Sequence, residues 1–290
     1  MLKSTDMFRY LILSLITIWI VACQNDGKPG GSGNAPYDLK LQLKTGDHFR
    51  YEMSTIQRMN QTLMGKKMNI DQEMLFVFDY DVLLSNGQST DMKVTYHRIR
   101  MKQKSDAGTV ELDTDSAELS NPVYKDLLKL KGKSFQISVN SKGEITKLSG
   151  MEFLGGNSMS DSSLKSMLEM SFKLYPDHPV KPGDQWNIEM TNDLGGVMKM
   201  KLNNTYELIQ VEKELAEIKC QSSISSEKGN TQQMEMELSG TQEGTMQMEL
   251  VTGMVRSLKM KQKMSGRLKA SNMDIPMEIE SDVELKGSKR

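Results

Sequence analysis

Cysteine is nearly absent from the chain: two in 290 residues, Cys23 and Cys220. No Cys-x-x-Cys pair exists, so a thiolate metal cage or a dithiol redox pair has no sequence basis. Histidine is almost as scarce, with only His48, His97 and His178. There is no His-Glu-x-x-His, no Gly-x-Ser-x-Gly and no phosphate-cradling glycine loop, so no catalytic motif assembles along the chain and no cofactor is implied. Charge of one sign is missing too. The formal net charge is −1, which argues against nucleic acid as a partner, since phosphate binding requires a concentrated basic field. Aromatic residues make up only 6% and apolar residues 37%, so any core must be built from something other than rings.

Methionine is abundant: 25 residues, all but Met1 and Met7 lying beyond residue 22. The N-terminus is equally distinctive. Lys3 and Arg9 precede an apolar stretch, Tyr10 to Val21, of signal-peptide length. The stretch falls short of the ~20 residues that a spanning helix needs. Ile20-Val21-Ala22-Cys23 resembles a bacterial lipobox, in which the cysteine thiol takes a diacylglycerol after cleavage beside a small residue. The resemblance implies that residues 1–22 are a signal peptide and that Cys23 becomes the acylated first residue, carrying chains such as palmitate. Gln24 after the cysteine, in place of Asp, resembles sorting to the outer membrane of the cell envelope. Residues 23–36 then form a flexible Gly-, Asn- and Pro-rich tether to that membrane. With Cys23 acylated, Cys220 has no disulfide partner. It shares one face of an alternating stretch with Ala216 and Ile218, as a buried structural thiol does.

From residue 37 to 290 the pattern is alternation, apolar on one face and polar on the other, the mark of antiparallel strands. Two segments match. Lys44 to Thr55 reads KTGDHFRYEMST, and Lys181 to Asn192 reads KPGDQWNIEMTN. Each predicts a turn, with Gly46 or Gly183 supplying positive φ and Asp47 or Asp184 ending it, then a strand led inward by Phe49 or Trp186. Thr45 stands where the second copy has Pro182, so the turn type of the first copy is left open. Hairpins of like pattern follow at Phe135–Leu148 and Met246–Leu258, and Asn86-Gly87 splits another pair of strands. The expected architecture is mainly β: a large curved antiparallel sheet or open half-barrel made of two similar halves, about 38–150 and 180–285. One or two short helices complete it. Asp161 caps a helix over 162–174 between the halves, where it can lie across the sheet, and Asn121-Pro122 opens a shorter one through Leu130.

Three Met-x-Met pairs, among them Met198-Met200 and Met246-Met248, carry two readings. Thioethers select soft metals such as copper. At i, i+2 in a strand they are equally an inward face, and the polar residues between them favour this. Such a face suits varied apolar ligands, because methionine is flexible and polarizable. The cationic runs 98–104 and 259–263 read as solvated faces able to rest on anionic headgroups.

The lipobox, tether, paired Lys-x-Gly-Asp-x-aromatic segments and glycine-turn hairpins together resemble an uncharacterised family of secreted Gram-negative lipoproteins, a domain of unknown function. At a coarser level the pattern looks like the open barrel of the lipoprotein-carrier fold. The expectation is a non-enzymatic, membrane-anchored envelope lipoprotein that binds an apolar or amphipathic ligand against Met198, Met200, Met246 and Met248. The alternatives are a structural or adaptor subunit of an envelope complex and a copper-binding protein.

Overall fold

The computed structural model describes residues 35–63, 65–116, 130–150, 161–193, 198–228, 234–270 and 273–290. Strands β1 (His48–Leu63), β2 (Lys66–Ser85), β3 (Ser89–Ser105), β4 (Gly108–Asp113), β5 (Ser134–Asn140) and β6 (Ile145–Ser149) come first. A helix, α1 (Asp161–Phe172), separates them from β7 (Gln185–Asp193), β8 (Met198–Glu212), β9 (Leu215–Lys228), β10 (Met234–Glu249), β11 (Val255–Ala270) and β12 (Met273–Lys289). The helix expected over 162–174 is thus present and stops at Phe172. The helix expected from Asn121 falls outside the described residues.

All twelve strands join one antiparallel sheet, in the order β6-β5-β3-β2-β1-β12-β11-β10-β9-β8-β7, with β4 paired to β3 off the path. From the centre, β1, β2, β3, β5 and β6 step outward to one edge; from the other edge, β7 to β11 step back inward. β12 pairs with β11 on one side and β1 on the other. The two runs therefore lie side by side in the same sense. The sheet is curved but not closed. Its edges, β6 and β7, are the strands that α1 connects in the chain, and α1 packs against both. A helix there shields edge N–H and C=O groups that would otherwise invite another strand.

The alternation read from the sequence is realised as burial. On β1, Phe49, Tyr51, Met53, Thr55, Gln57 and Met59 are buried, and the residues between them are exposed or half-buried. The wet face is neutralised across strands. Lys102 meets Glu111 at 2.5 Å, Arg98 meets Asp113 at 2.6 Å and Lys263 meets Glu280 at 3.1 Å, so the cationic runs 98–104 and 259–263 have acidic neighbours.

The two Lys-x-Gly-Asp turns have one geometry. Gly46 and Gly183 take φ +88° and +93°, and the N–H of Asp47 and of Asp184 donates to the carbonyl of Lys44 and of Lys181, both at 2.9 Å. Each glycine N–H then bonds the next strand, at Val82 O and at Leu208 O. A register shift follows directly in both places, between Val82 and Leu84 and between Leu208 and Gln210. Thr45 in place of Pro182 leaves the turn unchanged, because the glycine supplies the one conformation that other residues resist.

One end of the half-barrel is stoppered. Residues 37–43 cross it, burying Leu39, Leu41 and Leu43, and Tyr37 bridges to Val180. Leu41 N–H bonds Ser141 O and Gln42 N–H bonds Thr252 O, at the tips of the β5–β6 and β10–β11 hairpins. The backbone comes so close there that only glycine fits. A Cβ on Gly143 would stand 1.8 Å from the Phe172 carbonyl oxygen, and one on Gly253 would stand 2.1 Å from that of Lys40.

Candidate binding site on the inner face

Below this stopper the inner face holds an apolar chamber. β1 and β2 contribute Tyr51, Phe78 and Tyr80; α1 and the segment after it contribute Met170, Phe172 and Tyr175. Met53, Met254 and Met260 complete a wall around about 70 Å³. The rings are interlocked: Tyr51 stacks on Phe78 at 5.7 Å, and Tyr80 meets Phe172 edge-on at 5.5 Å. Tyr51 donates to Val255 O at 2.8 Å, Tyr175 to Gly253 O at 3.0 Å, and the Trp186 indole to Leu174 O at 3.0 Å. Burial pushes the phenols of Tyr51, Tyr80 and Tyr175 well up, so they stay neutral and the chamber presents no charge.

Across the middle of the same face runs a row of uncharged polar side chains, one per strand and each directly opposite the next. Asn204 faces Ser222, Ser222 faces Gln242, and Gln242 faces Gln262. The row continues from Gln262 to Ser281, to Gln57 and to Gln72. All seven are buried, from 1% exposure at Asn204 to 6% at Ser222. Ser222 donates to Asn204 Oδ1 at 2.5 Å, and the Gln242 amide donates to Ser222 Oγ at 3.2 Å. The Gln262 amide donates to Gln242 Oε1 at 3.4 Å. The row is not saturated: among the described residues, Asn204 Nδ2, Gln72 Oε1 and the neighbouring Thr55 Oγ1 find no partner.

The outer face carries a second polar group. Asp79, its side chain only 5% exposed, accepts two bonds from the Arg50 guanidinium, both at 2.6 Å, and lies 2.7 Å from His97 Nε2 and 3.4 Å from His48 Nε2. His48 Nδ1 lies 2.5 Å from Asp81, which Lys93 approaches at 3.0 Å. His97 sits where the β2–β3 register shifts between Val77 and Phe78, a bulge that turns its side chain outward toward Asp79. Burial raises the Asp79 carboxyl, but Arg50 and His97 outweigh it and hold the group below its ordinary value. Each carboxylate here already has cationic partners, and no cluster of three or more His, Cys, Asp or Glu able to hold a metal exists among the described residues.

Of the residues singled out from the sequence, Cys23 lies outside the described region. Gly46, Asp47, Gly183 and Asp184 form the two turns, and Phe49 and Trp186 are buried at the heads of β1 and β7. Met200, Met246 and Met248 are fully enclosed at 0% exposure; the side chain of Met198 lies outside the described residues. The methionines around the chamber are instead Met53, Met170, Met254 and Met260. Cys220 is buried, and loss of solvent pushes its thiol up to about 12. Sequence reasoning missed the polar row and the Asp79 group. The row has a legible trace, because Gln262 stands at an inward position between Met260 and Met264. The Asp79 group has little trace, since it joins side chains from three strands.

A family model described as a family of unknown function, DUF6263, matches residues 87–156 and 156–255. The chain belongs to this family. The matched part of the DUF6263 chain runs from the β2–β3 turn to the start of β11, taking in α1 and the polar positions Ser222 and Gln242. No curated protein matches it. Among solved structures it is similar to an outer membrane channel from Pseudomonas putida F1, at 7% identity and TM-score 0.21, covering 88% of this chain and 100% of that one. It is also similar to OccK11 (OpdR) from Pseudomonas aeruginosa, at 8% identity and TM-score 0.22, covering 86% and 100%. Scores this low do not establish a shared fold.

Proposed function

We propose that this DUF6263 protein is a non-enzymatic lipoprotein, anchored to the cell envelope through acylated Cys23, whose half-barrel holds an amphipathic ligand on its inner face. The observation that carries the reading is the chamber under the stopper: apolar, uncharged, and walled by methionines at the end that α1 covers. Its 70 Å³ is little more than the volume of two waters, while small-molecule sites run to about 300–1,000 Å³. Binding therefore requires the methionines to change rotamer and α1 to shift on the sheet edges. Methionine suits this, having three rotatable bonds and a polarizable sulfur. The sheet itself stays rigid, because every strand except β4, β6 and β7 has a hydrogen-bonded neighbour on both sides.

The test is extraction. Full chain purified from envelopes is treated with organic solvent, and the extract is examined by mass spectrometry for a lipid at about one per chain. The same preparation yields the N-terminal peptide, whose mass carries the acyl groups on Cys23 and loses them on Cys23→Ser. Protein free of extractable lipid, and unable to take up any long-chain amphiphile added to it, ends the proposal.

A further inference from the structure

We infer that the transverse polar row is the subsite that selects the ligand, and that it takes an amphiphile whose polar part is uncharged and bears both hydrogen-bond donors and acceptors. The inference rests on the proposed ligand-binding function and adds to it the chemical class of the ligand.

The starting point is that the row is polar without being complete. Asn204 offers a free donor, Gln72 a free acceptor, and Thr55 a hydroxyl that is either. These residues are 1%, 2% and 1% exposed. Leaving such groups unpaired away from water opposes folding, and native interiors carry few of them. All three sit on the inner face, on β8, β2 and β1, at or beside a single level of the sheet. Thr55 and Gln72 stand on adjacent strands, where one compact polar group can meet both; Asn204 stands at the far end of the row, on β8, as a separate point of contact.

The second point is charge. No member of the row is ionisable, and the residues two places away on the same strands are uncharged too, from Thr55 and Met59 on β1 to Tyr206 and Leu202 on β8. A carboxylate or phosphate placed here would have no counter-charge, and desolvating it would be strongly unfavourable. Hydroxyl, ester or amide groups lose little water that the row cannot replace.

The third point is what flanks the row. On one side along the strands lie Thr55, Met74, Val283 and Met260, the last two on the chamber wall; on the other lie Met59, Ile70, Ile279 and Met264. Thr55 apart, the layers on both sides of this neutral polar level are apolar, and they match a molecule with a compact neutral headgroup and an apolar chain. The chain points to the chamber.

The experiment uses the full chain held in amphipol and three probes of equal chain length: monooleoylglycerol, oleate, and octadecene, the last without a polar group. Binding is read by native mass spectrometry and by the rise in melting temperature. The expected order is monooleoylglycerol first, with oleate at pH 8 and octadecene each weaker by roughly tenfold or more, the size of one satisfied buried polar group. The near-isosteric pair Thr55→Val with Gln72→Met is expected to fold as well as the parent and to bring the three affinities together. Equal binding of all three probes by the parent overturns the inference while leaving the ligand-binding function standing, and so does a preference for oleate. A Thr55→Val/Gln72→Met protein that loses stability but keeps the parent's order shows the row to be structural and also overturns it. Binding of no probe removes the function and the inference together.

Discussion

Asp47 and Asp184 do the same thing in the two halves of the sheet: each carboxylate accepts the N–H of the lysine three residues before it, Lys44 at 3.0 Å and Lys181 at 2.8 Å. Asp47 also takes Lys289 at 2.7 Å, from the last strand. Truncating either aspartate removes a local backbone bond worth about 1 kcal/mol. Asp184→Ala is expected to lower stability by about that amount, and Asp47→Ala by somewhat more. Urea unfolding of the two single variants measures the difference; identical behaviour of Asp47→Ala and the parent would contradict the role given to the turn.

The β8–β9 hairpin turns on Lys213 and Glu214, at φ +49° and +67°, the only non-glycine residues with positive φ among those described. Side chains with a Cβ disfavour that region by about 1–2 kcal/mol each. Lys213→Asn with Glu214→Gly is the favoured composition for such a two-residue turn. Stability should rise by about 1–2 kcal/mol, and a melting temperature that falls would sink the prediction.

Asp79 ties folding to pH. Its carboxyl is held below the ordinary value, so the stabilisation is present above the unfolded value of about 3.9 and is lost as pH falls through the lower folded value. Asp79→Asn leaves Arg50 and His97 without their shared anion. Near pH 7 the variant should be less stable by about 2–3 kcal/mol, in line with charge-assisted bonds. The gap should close as pH falls below about 4. Unfolding curves of both proteins from pH 3 to 7 check this; a gap independent of pH would show that packing, not ionisation, is at stake.

Gly253 lets the stopper backbone touch it at Lys40, and Gly143 lets the end of α1 touch it at Phe172, on the hairpin whose Ser141 carbonyl takes the Leu41 N–H. Alanine at either position combines a positive φ with a carbonyl oxygen 1.8 or 2.1 Å from the new Cβ. Each variant should lose more than about 2 kcal/mol, the range of a strained backbone, and should expose the chamber end to hydrogen exchange at Leu41 and Gln42 before the strands exchange. Unchanged protection there would show that residues 37–43 are held by other contacts.

Cys220 is a quieter case. Its thiol is buried and pushed up to about 12, so alkylation by iodoacetamide at pH 8 should track global unfolding and be negligible in the folded protein. Rapid labelling of the native chain would contradict its placement in the core.

The sequence by itself determined the strands, the turns between them and which side of each strand is dry. Those are local matters: a two-residue period in Trp186, Ile188 and Met190, a glycine where φ must be positive, an aspartate that bonds its own turn. It also determined that the core would be methionine-rich. It could not determine the order of strands at the centre, where β12 enters between β11 and β1, nor that α1 would pack against both edges while Met170 and Phe172 reach the inner face. A Met-x-Met pattern looks the same after a slip of two residues, so alternation alone leaves register open. Register is decided by tertiary pairing, in which Gln57, Ser281, Gln262 and Gln242 come opposite one another, so that buried polar side chains face each other and not the methionines two places away. The Asp79 group has the same origin. Its members are spread along β1, β2 and β3, and only the pairing of those strands, with the bulge beside His97, brings them to one carboxylate.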